Sequence, residues 1–212
     1  MYSGGYTLMV IIVTGGIGSG KSMVCRMIRE IYGFPVYEAD SRAKELYVRY
    51  PELLEAIESA LSCSVRDSRG VFQPRLLAGR IFADKEALAV VESLLFPFMM
   101  SDFQKYAENS GNIIIFESAT VLEKPQFDGF GDKVILVDAP RETRIERACA
   151  RDGLSREAVL ARMDAQKLMN ALSDGAACTR IDETIMNDGS ADDLLEAVKD
   201  VMERLLAGNN KQ

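Results

Sequence analysis

A glycine-rich run between an apolar stretch and a helix-forming stretch constrains the fold of this chain more than any other feature. The run reads GGIGSGKS, from Gly15 to Ser22, and fits the pattern G-x-x-x-x-G-K-[ST]. The apolar residues 8–13 before it predict a buried strand, and residues 23–31 after it are compatible with a helix. A strand, a glycine-rich turn and a helix in this order are the context of a phosphate-binding P-loop.

The residue types in this run suit the binding of phosphate. Glycines allow backbone conformations that a Cβ would forbid, so that successive N–H groups turn inward and cradle an anion. The helix that follows adds its unpaired N–H groups and its dipole. We expect Lys21 to reach the β- and γ-phosphates of ATP and the Ser22 hydroxyl to ligate Mg²⁺. The predicted ATP-binding residues of the run are Gly15, Gly16, Ile17, Gly18, Ser19, Gly20, Lys21, Ser22 and Met23.

Two other interpretations of the run are weaker. A glycine-rich turn that matches the pattern by chance is disfavoured, because a strand and a helix are both predicted in the positions that the P-loop requires. A dinucleotide-binding loop, G-x-G-x-x-G, would require glycine at position 21 when it is read from Gly16, and the chain has Lys21 there.

Composition excludes several classes of function. The 212 residues are 48% hydrophobic and 27% charged, which is typical of a globular chain with one sizeable core. The chain has no histidine, which excludes a Ser-His-Asp triad, a histidine-ligated metal and a histidine base. The net charge of −7 argues against a nucleic-acid partner, which usually meets a basic face.

The sequence predicts a cytoplasmic protein without a membrane partner. Its apolar runs are all shorter than the ~18 residues of a membrane span. The N-terminus lacks the basic region of a secretory signal, and the 4 cysteines have no pair spacing, so that we expect reduced thiols. Residues 1–7 resemble a short extension, with Met9 as an alternative start.

Short apolar strands alternate with helical segments along the chain, which predicts an α/β fold with a parallel five-stranded sheet. The three-layer fold of P-loop NTPases has this arrangement. The predicted strands are residues 8–13, 35–37, 112–116, 133–137 and 183–186. Residues 190–206 are expected to form an amphipathic helix that begins with a capping box of Ser190 and Asp193.

Residues 41–110 show no strand signal and are expected to form several helices. This segment is too long for a simple crossover, so it is either a helical insertion that binds substrate or a larger helical layer on the sheet. Within it, we expect Asp84 to cap a helix and Pro97 to end or kink that helix.

Two acidic residues follow predicted strands, at the edge where parallel sheets bind their ligands. Asp40 comes after the second strand and is a candidate base for an attacking hydroxyl, although it also suits the N-cap of the next helix. Glu117 closes the third strand and is a candidate for binding Mg²⁺ and the acceptor. A solvated loop carboxylate is the alternative for Glu117.

Arginines recur on one side of a predicted helix. Arg144, Arg147 and Arg151 fall within roughly a 60° arc, as a clamp for an anion requires, because the planar guanidinium binds phosphate oxygens in pairs. A solvated basic face is the usual interpretation of such a stripe, but the P-loop favours the clamp.

Three further polar residues are weaker candidates. Arg75 and Arg80, in the segment 41–110, are candidates for binding a second anionic substrate, and surface solvation is the alternative. Asn187 follows the last predicted strand and is a candidate for a hydrogen bond to the nucleotide base.

Eight segments, taken in order, resemble the dephospho-CoA kinase family. They are VTGGIGSGKS (13–22), PVYEAD (35–40), RLLAGRIFAD (75–84), LLFP (94–97), FESATVLE (116–123), FGDKVILVDAP (130–140), RIERACARDGLS (144–155) and IMNDGSADDL (185–194). Their order and spacing make the resemblance specific, and it extends from about residue 10 to residue 198.

The resemblance implies a kinase that phosphorylates the ribose 3′-hydroxyl of dephospho-CoA with ATP, in the last step of coenzyme A synthesis. It implies a nucleotide-binding core at residues 8–40, 111–140 and 170–207, a helical acceptor domain at 41–110 and a lid at 141–169. Asp40 matches the proposed general base of the family, and Arg147 and Arg151 match lid arginines. The expected catalytic residues are Lys21, Asp40 and Arg147, and Arg147, Arg151 and Asn187 are also expected to bind ATP.

The chain departs from the family pattern mainly in the half expected to bind the acceptor. Met23 stands where the family usually has Thr or Ser, and Glu38 replaces the first residue of an Asp-x-Asp pair. Phe96-Pro97 and Met99-Met100 stand where the family usually has His-Pro and a nearby Arg. Glu117-Ser118-Ala119 replaces Asp-x-Pro.

We therefore expect a cytoplasmic kinase that uses ATP and Mg²⁺ on dephospho-CoA, as a monomer or a weak homo-oligomer without a nucleic-acid or membrane partner. Another P-loop kinase, for a nucleoside monophosphate or a small metabolite, is the second interpretation, because of the departures above. A non-catalytic regulator that binds ATP is the third.

Overall fold

The computed structural model describes residues 8–207 apart from 83, 177 and 179. The chain forms two compact units. The first comprises the residues up to Glu38 and from Ser110 onwards, and the second is Ala39–Asn109. The first unit contains the sheet, and the second is formed by helices. The extension predicted for residues 1–7 lies outside the described residues.

Five parallel strands form the sheet, in the order β2-β3-β1-β4-β5. They are β1 (Met9–Thr14), β2 (Val36–Glu38), β3 (Ile113–Glu117), β4 (Lys133–Asp138) and β5 (Glu183–Met186). The predicted α/β fold and its five strands are confirmed, and the strand ends differ by about one residue. All 6 residues of β1 are buried, as its unbroken apolar sequence requires for a strand that is covered on both faces.

Two helices cover one face of the sheet: α1 (Lys21–Tyr32) and α9 (Ala191–Ala207). Ile11 of β1, Ile28 of α1 and Val198 of α9 are fully buried in this layer, and full burial of such a side chain stabilises the fold by ~1.5–3 kcal/mol. The predicted capping box is present, since Asp193 Oδ2 accepts from Ser190 N at 2.8 Å and Ser190 Oγ accepts from Asp193 N at 3.2 Å.

An aromatic cluster lies on the other face, because successive side chains of a strand point to opposite sides. Phe116 of β3 stacks on Tyr37 of β2 and meets Phe127 and Phe130, with ring centroids 4.8 to 5.8 Å apart. The two phenylalanines follow β3 in a segment with two short 3₁₀ turns, Val121–Glu123 and Pro125–Phe127. Edge and offset ring contacts of this kind add to the burial of apolar surface.

Three helices lie between β4 and β5: α6 (Arg141–Asp152), α7 (Arg156–Asp164) and α8 (Lys167–Ser173). α6 and α7 pack together through Ile145, Ala148, Val159 and Met163, and Ile17 of the glycine-rich run packs against this cluster. The turn after β1 is therefore held by helices that come more than a hundred residues later.

The second unit consists of α2 (Ala39–Arg49), α3 (Pro51–Leu61), α4 (Pro74–Phe82) and α5 (Lys85–Ala107). A single antiparallel bridge, Arg66 with Phe72, lies between α3 and α4. The helices α2, α3 and α4 all pack against α5. The prediction of several helices in this segment agrees with the secondary structure.

The helix α5 begins where the sequence predicted, because the Asp84 carboxylate accepts from the backbone N–H groups of Glu86 and Ala87, at 3.0 Å each. Pro97 does not end this helix, which continues to Ala107. A proline inside a helix costs ~3 kcal/mol or more. Residues at four-residue intervals on α5 are buried on both sides of Pro97 and offset this cost: Val91, Leu95, Met99 and Phe103.

Candidate active site

The glycine-rich run lies at the carboxyl end of the central strand. β1 ends at Thr14 and α1 begins at Lys21, so residues 15–20 form the turn between them. β3 and β4 pair with β1 on its two sides, so the order of the strands along the chain reverses here. Parallel sheets bind ligands at such a point, outside the carboxyl ends of the strands.

Two glycines allow this turn to approach other parts of the unit closely. Gly18 has a φ of +76°, and a Cβ on it would overlap the carbonyl oxygen of Arg144 on α6. Gly20 has a φ of +100°, and a Cβ there would overlap Nδ2 of Asn187. Any other residue at these positions would meet both backbone strain and a steric clash.

We expect Gly18→Ala to weaken ATP binding at least about ten-fold, because left-handed strain and the overlap with Arg144 both distort the phosphate cradle. Gly79→Ala is the matched control, since Gly79 lies on α4 with no atom within 4 Å of the added Cβ. Isothermal titration calorimetry measures the dissociation constant of ATP for both variants. Unchanged ATP affinity in a folded Gly18→Ala protein would contradict this loop geometry.

The ammonium group of Lys21 lies against the start of the turn. Its Nζ donates to the carbonyl oxygens of Gly15 and Gly16, at 3.0 and 3.2 Å. The Gly16 carbonyl also accepts from the backbone N–H of Ser19, at 3.2 Å. A positive charge is therefore held at the turn, where a phosphate chain would need it.

Ser22 and Glu117 lie side by side, although 95 residues separate them in the sequence. The Ser22 hydroxyl donates to Oε1 of Glu117 at 3.3 Å. Hydroxyl and carboxylate oxygens suit Mg²⁺, which usually takes one or two protein carboxylates together with substrate phosphates and water. Among the residues that the structure describes, no cluster of three or more His, Cys, Asp or Glu side chains has the geometry of a metal site.

Cys25 lies on α1 just after the turn and is buried. Burial raises the pKa of its thiol well above the usual value, and the carboxylate of Glu117 raises that pKa further. Burial and the raised pKa both favour the protonated thiol at neutral pH, which disfavours Cys25 as a nucleophile.

Asn187 connects three parts of the site. Its buried side chain donates from Nδ2 to the backbone carbonyl oxygen of Ser19 at 2.8 Å, and the backbone carbonyl of Asn187 accepts from Nη1 of Arg147 at 3.0 Å. Its backbone N–H donates to the carbonyl of Asp138 at 2.7 Å. One side-chain N–H is thus bound to the P-loop, and the expected hydrogen bond from Asn187 to a nucleotide base stays a prediction.

The arginines of α6 have three different environments and do not form one uniform stripe. Arg144 is buried beneath the turn, Arg147 is half-buried and Arg151 is exposed. Arg151 donates two hydrogen bonds to Asp152, at 2.7 and 3.0 Å, which raise the pKa of Arg151 and lower that of Asp152. The helical period does place the three arginines at similar angles around the axis of α6. However, α6 packs against the P-loop, and this contact buries Arg144 away from solvent.

Sequence reasoning missed Gln166, which binds the P-loop directly. Its side chain is buried, and Oε1 accepts from the backbone N–H of Ile17 at 2.8 Å. The two residues are 149 positions apart, and a single glutamine between two helices carries no local pattern that signals this contact.

Three of the predicted site residues belong to the second unit. Asp40 is exposed in the first turn of α2, two residues after β2, where the helix dipole favours a carboxylate. It is the second residue of α2 and not its N-cap. Arg75 is exposed at the start of α4, and Arg80 pairs with Asp84 at 3.0 Å.

The sequence profile of the dephospho-CoA kinase family matches residues 9–193. This chain belongs to the dephospho-CoA kinase family. The dephospho-CoA kinase of Porphyromonas gingivalis is 36% identical to it over 181 residues, which are 85% of this chain and 86% of that protein. The crystal structure of a Thermus thermophilus protein, at 31% identity, has a TM-score of 0.78 and covers 94% of this chain and 98% of that chain. The dephospho-CoA kinase from Campylobacter jejuni, at 26% identity, has a TM-score of 0.60 over 94% of this chain and 98% of that chain.

Membership of the dephospho-CoA kinase family confirms the resemblance that the eight segments indicated, and it makes the chain a kinase that uses ATP. The structural similarity also confirms the P-loop kinase fold. Among the helices of the described residues, none combines the length and the apolar character that a membrane span requires.

Proposed function

We propose that this chain transfers the γ-phosphoryl group of ATP to the ribose 3′-hydroxyl of dephospho-CoA. The products are coenzyme A and ADP, and the reaction is the last step of coenzyme A biosynthesis. The observation that carries the proposal is the family match over residues 9–193, in a chain whose P-loop is intact from Gly15 to Ser22.

In this proposal the P-loop binds the phosphates of ATP. The N–H groups of residues 15–23 and the N-terminus of α1 face the β- and γ-phosphates. Lys21 exchanges the carbonyls of Gly15 and Gly16 for phosphate oxygens and neutralises the charge that builds up during transfer. The contact of Asn187 with Ser19 supports the loop in the conformation that binds.

Ser22 and Glu117 hold Mg²⁺, which neutralises phosphate charge when it is bound. The distance of 3.3 Å between Ser22 Oγ and Glu117 Oε1 supports this assignment, because two oxygens this close would both be within reach of one cation. Glu117 also helps to orient the acceptor.

Asp40 is the base of the proposed reaction. It accepts the proton of the 3′-hydroxyl while the oxygen of that hydroxyl bonds to the γ-phosphorus. The bond between the γ-phosphorus and the bridging oxygen of the β-phosphate breaks, and ADP leaves with that oxygen. The exposed position of Asp40, just after β2, supports this role because the carboxylate is available to a ligand.

The segment 141–169 acts as a lid over the core formed by residues 8–40, 111–140 and 170–207. Because α6 and α7 already pack on Ile17 of the P-loop, closure in this proposal moves arginine side chains and not the whole segment. On closure Arg147 and Arg151 leave their partners Asn187 and Asp152 and bind phosphate oxygens, which excludes water that would hydrolyse ATP. The helical segment 41–110 binds the acceptor, and Arg75 and Arg80 meet its phosphates.

The proposal extends to the surroundings in which the enzyme works. A monomer or weak homo-oligomer in the cytoplasm, without nucleic-acid or membrane partners, agrees with the net charge of −7. The 4 cysteines are all unpaired thiols, which supports a reducing compartment. Size-exclusion chromatography with light scattering measures the oligomeric state.

The test is the release of ADP from ATP and Mg²⁺ with dephospho-CoA, AMP, CMP or adenosine as the acceptor. We expect only dephospho-CoA to stimulate release, with coenzyme A as the product identified by mass spectrometry. Stimulation by another acceptor would indicate a different small-molecule kinase. The departures at Phe96 and Met99, where the family usually has His and Arg, are the reason to include other acceptors. ATP binding without stimulation by any acceptor would indicate a regulator.

We expect Glu117→Gln to raise the Mg²⁺ concentration for half-maximal activity about ten-fold, because a neutral amide is a weaker ligand for a hard cation. Glu196→Gln, on the exposed side of α9, is the control with the same change of charge. Activity is titrated with Mg²⁺ at saturating ATP. An unchanged Mg²⁺ requirement in the Glu117 variant would remove Glu117 from the metal site.

A further inference from the structure

Arg144 carries a charge that its surroundings do not fully balance. It is buried with 6% exposure, and its Nε and Nη1 atoms have no hydrogen-bond acceptor. Its ion-pair partner is Asp138, whose Oδ1 lies 3.5 Å from Nη1. That same oxygen accepts a hydrogen bond from the backbone N–H of Ala139, at 2.8 Å. A buried guanidinium with two nitrogens that lack hydrogen-bond acceptors costs free energy, which other interactions of Arg144 have to offset.

Both ends of Arg144 contact the P-loop. A Cβ on Gly16 would overlap Nη1 of Arg144, and a Cβ on Gly18 would overlap the carbonyl oxygen of Arg144. At these two loop positions, only glycine leaves room for Arg144, which α6 places against them. The guanidinium of Arg144 therefore lies near the start of the loop. The ammonium group of Lys21 lies there too, bound to the carbonyls of Gly15 and Gly16.

A fixed cation in this place affects what the loop binds. The Arg144 side chain is only 7% exposed and its Nη1 lies against Gly16, so we expect it to act on a bound anion through the loop and not by direct contact. Charges interact strongly across the poorly polarisable interior of a protein. The effect grows with the number of charges on the ligand, so it favours a triphosphate over a monophosphate.

We propose that Arg144 is a positioning residue of the nucleotide site, which holds the Gly16–Gly18 part of the P-loop and strengthens the binding of polyphosphates through it. The inference rests on the proposed nucleotide site, but not on the identity of the acceptor. It predicts that Asp138 limits this effect, because its carboxylate partly neutralises the guanidinium.

The test compares the dissociation constants of ATP, ADP and AMP by isothermal titration calorimetry in four variants. Arg144→Gln removes the charge and keeps hydrogen-bond donors, and Arg144→Lys keeps the charge. Asp138→Asn removes the counter-charge and keeps a side-chain oxygen for Ala139. Arg141→Gln is the matched control, since it removes an exposed guanidinium from the same helix.

We expect Arg144→Gln to weaken ATP about ten-fold and AMP less than about two-fold, with Arg144→Lys close to the parent. We expect Asp138→Asn to bind ATP about three-fold more tightly, while its melting temperature falls because a buried cation loses its partner. A buried arginine with a purely structural role would not produce that opposite change in affinity and stability.

Two results would overturn the inference. One is equal losses for ATP, ADP and AMP, or no loss, in a folded Arg144→Gln protein. The other is weaker or unchanged ATP binding in Asp138→Asn, which decides the question if the Arg144 variants do not fold. The proposed function is tested separately on the parent protein. It would be wrong if that protein bound no ATP or if dephospho-CoA did not stimulate its release of ADP.

Discussion

A Lys21→Met protein will phosphorylate dephospho-CoA about a thousand-fold more slowly than the parent. The methionine side chain fills a similar volume but carries no charge, so the γ-phosphoryl group loses the cation that the loop holds for it. In the structure that cation is already fixed at the turn by hydrogen bonds of 3.0 and 3.2 Å to Gly15 and Gly16. When ATP binds, its phosphate oxygens replace these two carbonyls as the partners of the ammonium group.

The measurement is the initial rate of ADP release at saturating ATP and dephospho-CoA. Lys199→Met is the control, because Lys199 is an exposed lysine on α9, far along the chain from the P-loop. The melting temperature of both variants shows that the fold is retained. A Lys21→Met protein with near-parental turnover would mean that the run from Gly15 to Ser22 does not perform the chemistry.

The second large effect is expected at Asp40. Asp40→Asn should lower kcat by about a hundred- to ten-thousand-fold while the dissociation constant of ATP changes little. An amide has nearly the same shape as the carboxylate but does not accept the proton of the attacking hydroxyl. The split between kcat and ATP affinity separates the loss of a base from the loss of the nucleotide site.

Glu38→Gln is the discriminating control for Asp40. Glu38 ends β2 only two positions earlier, is also exposed and has the same charge. Single-turnover rates at saturating ATP measure the phosphoryl-transfer step in both variants. If Glu38→Gln shows the larger loss, the base is Glu38, and the proposed role of Asp40 is wrong.

The fold and the phosphate loop were predictable because their signals are local. The run Gly15–Ser22 lies within one strand–turn–helix unit, and each strand is a short apolar stretch. The caps at Asp84 and Ser190 follow from residues within three positions of each other. Pro97 shows the limit of such signals, since the packing of α5 outweighs the local preference of proline to end a helix.

The supports of the loop were not predictable, because they come from distant parts of the chain. Gln166 binds the N–H of Ile17 across 149 positions, and Asn187 binds the carbonyl of Ser19 across 168. Periodicity places Arg144, Arg147 and Arg151 together on α6, but only the packing of that helix shows which arginine is buried. A contact of this range depends on the whole fold and leaves no pattern in any short window of sequence.

The burial of Cys25 has a consequence for an enzyme whose proposed acceptor and product both carry a thiol. Under oxidising conditions such metabolites form disulfides, which exchange with accessible thiolates of proteins. Cys25 follows the phosphate loop by three residues, but it is buried, and the raised pKa of its thiol keeps it in the unreactive, protonated form. We therefore expect Cys25 not to form a mixed disulfide with the substrate, so that oxidative stress does not inactivate the kinase at this position.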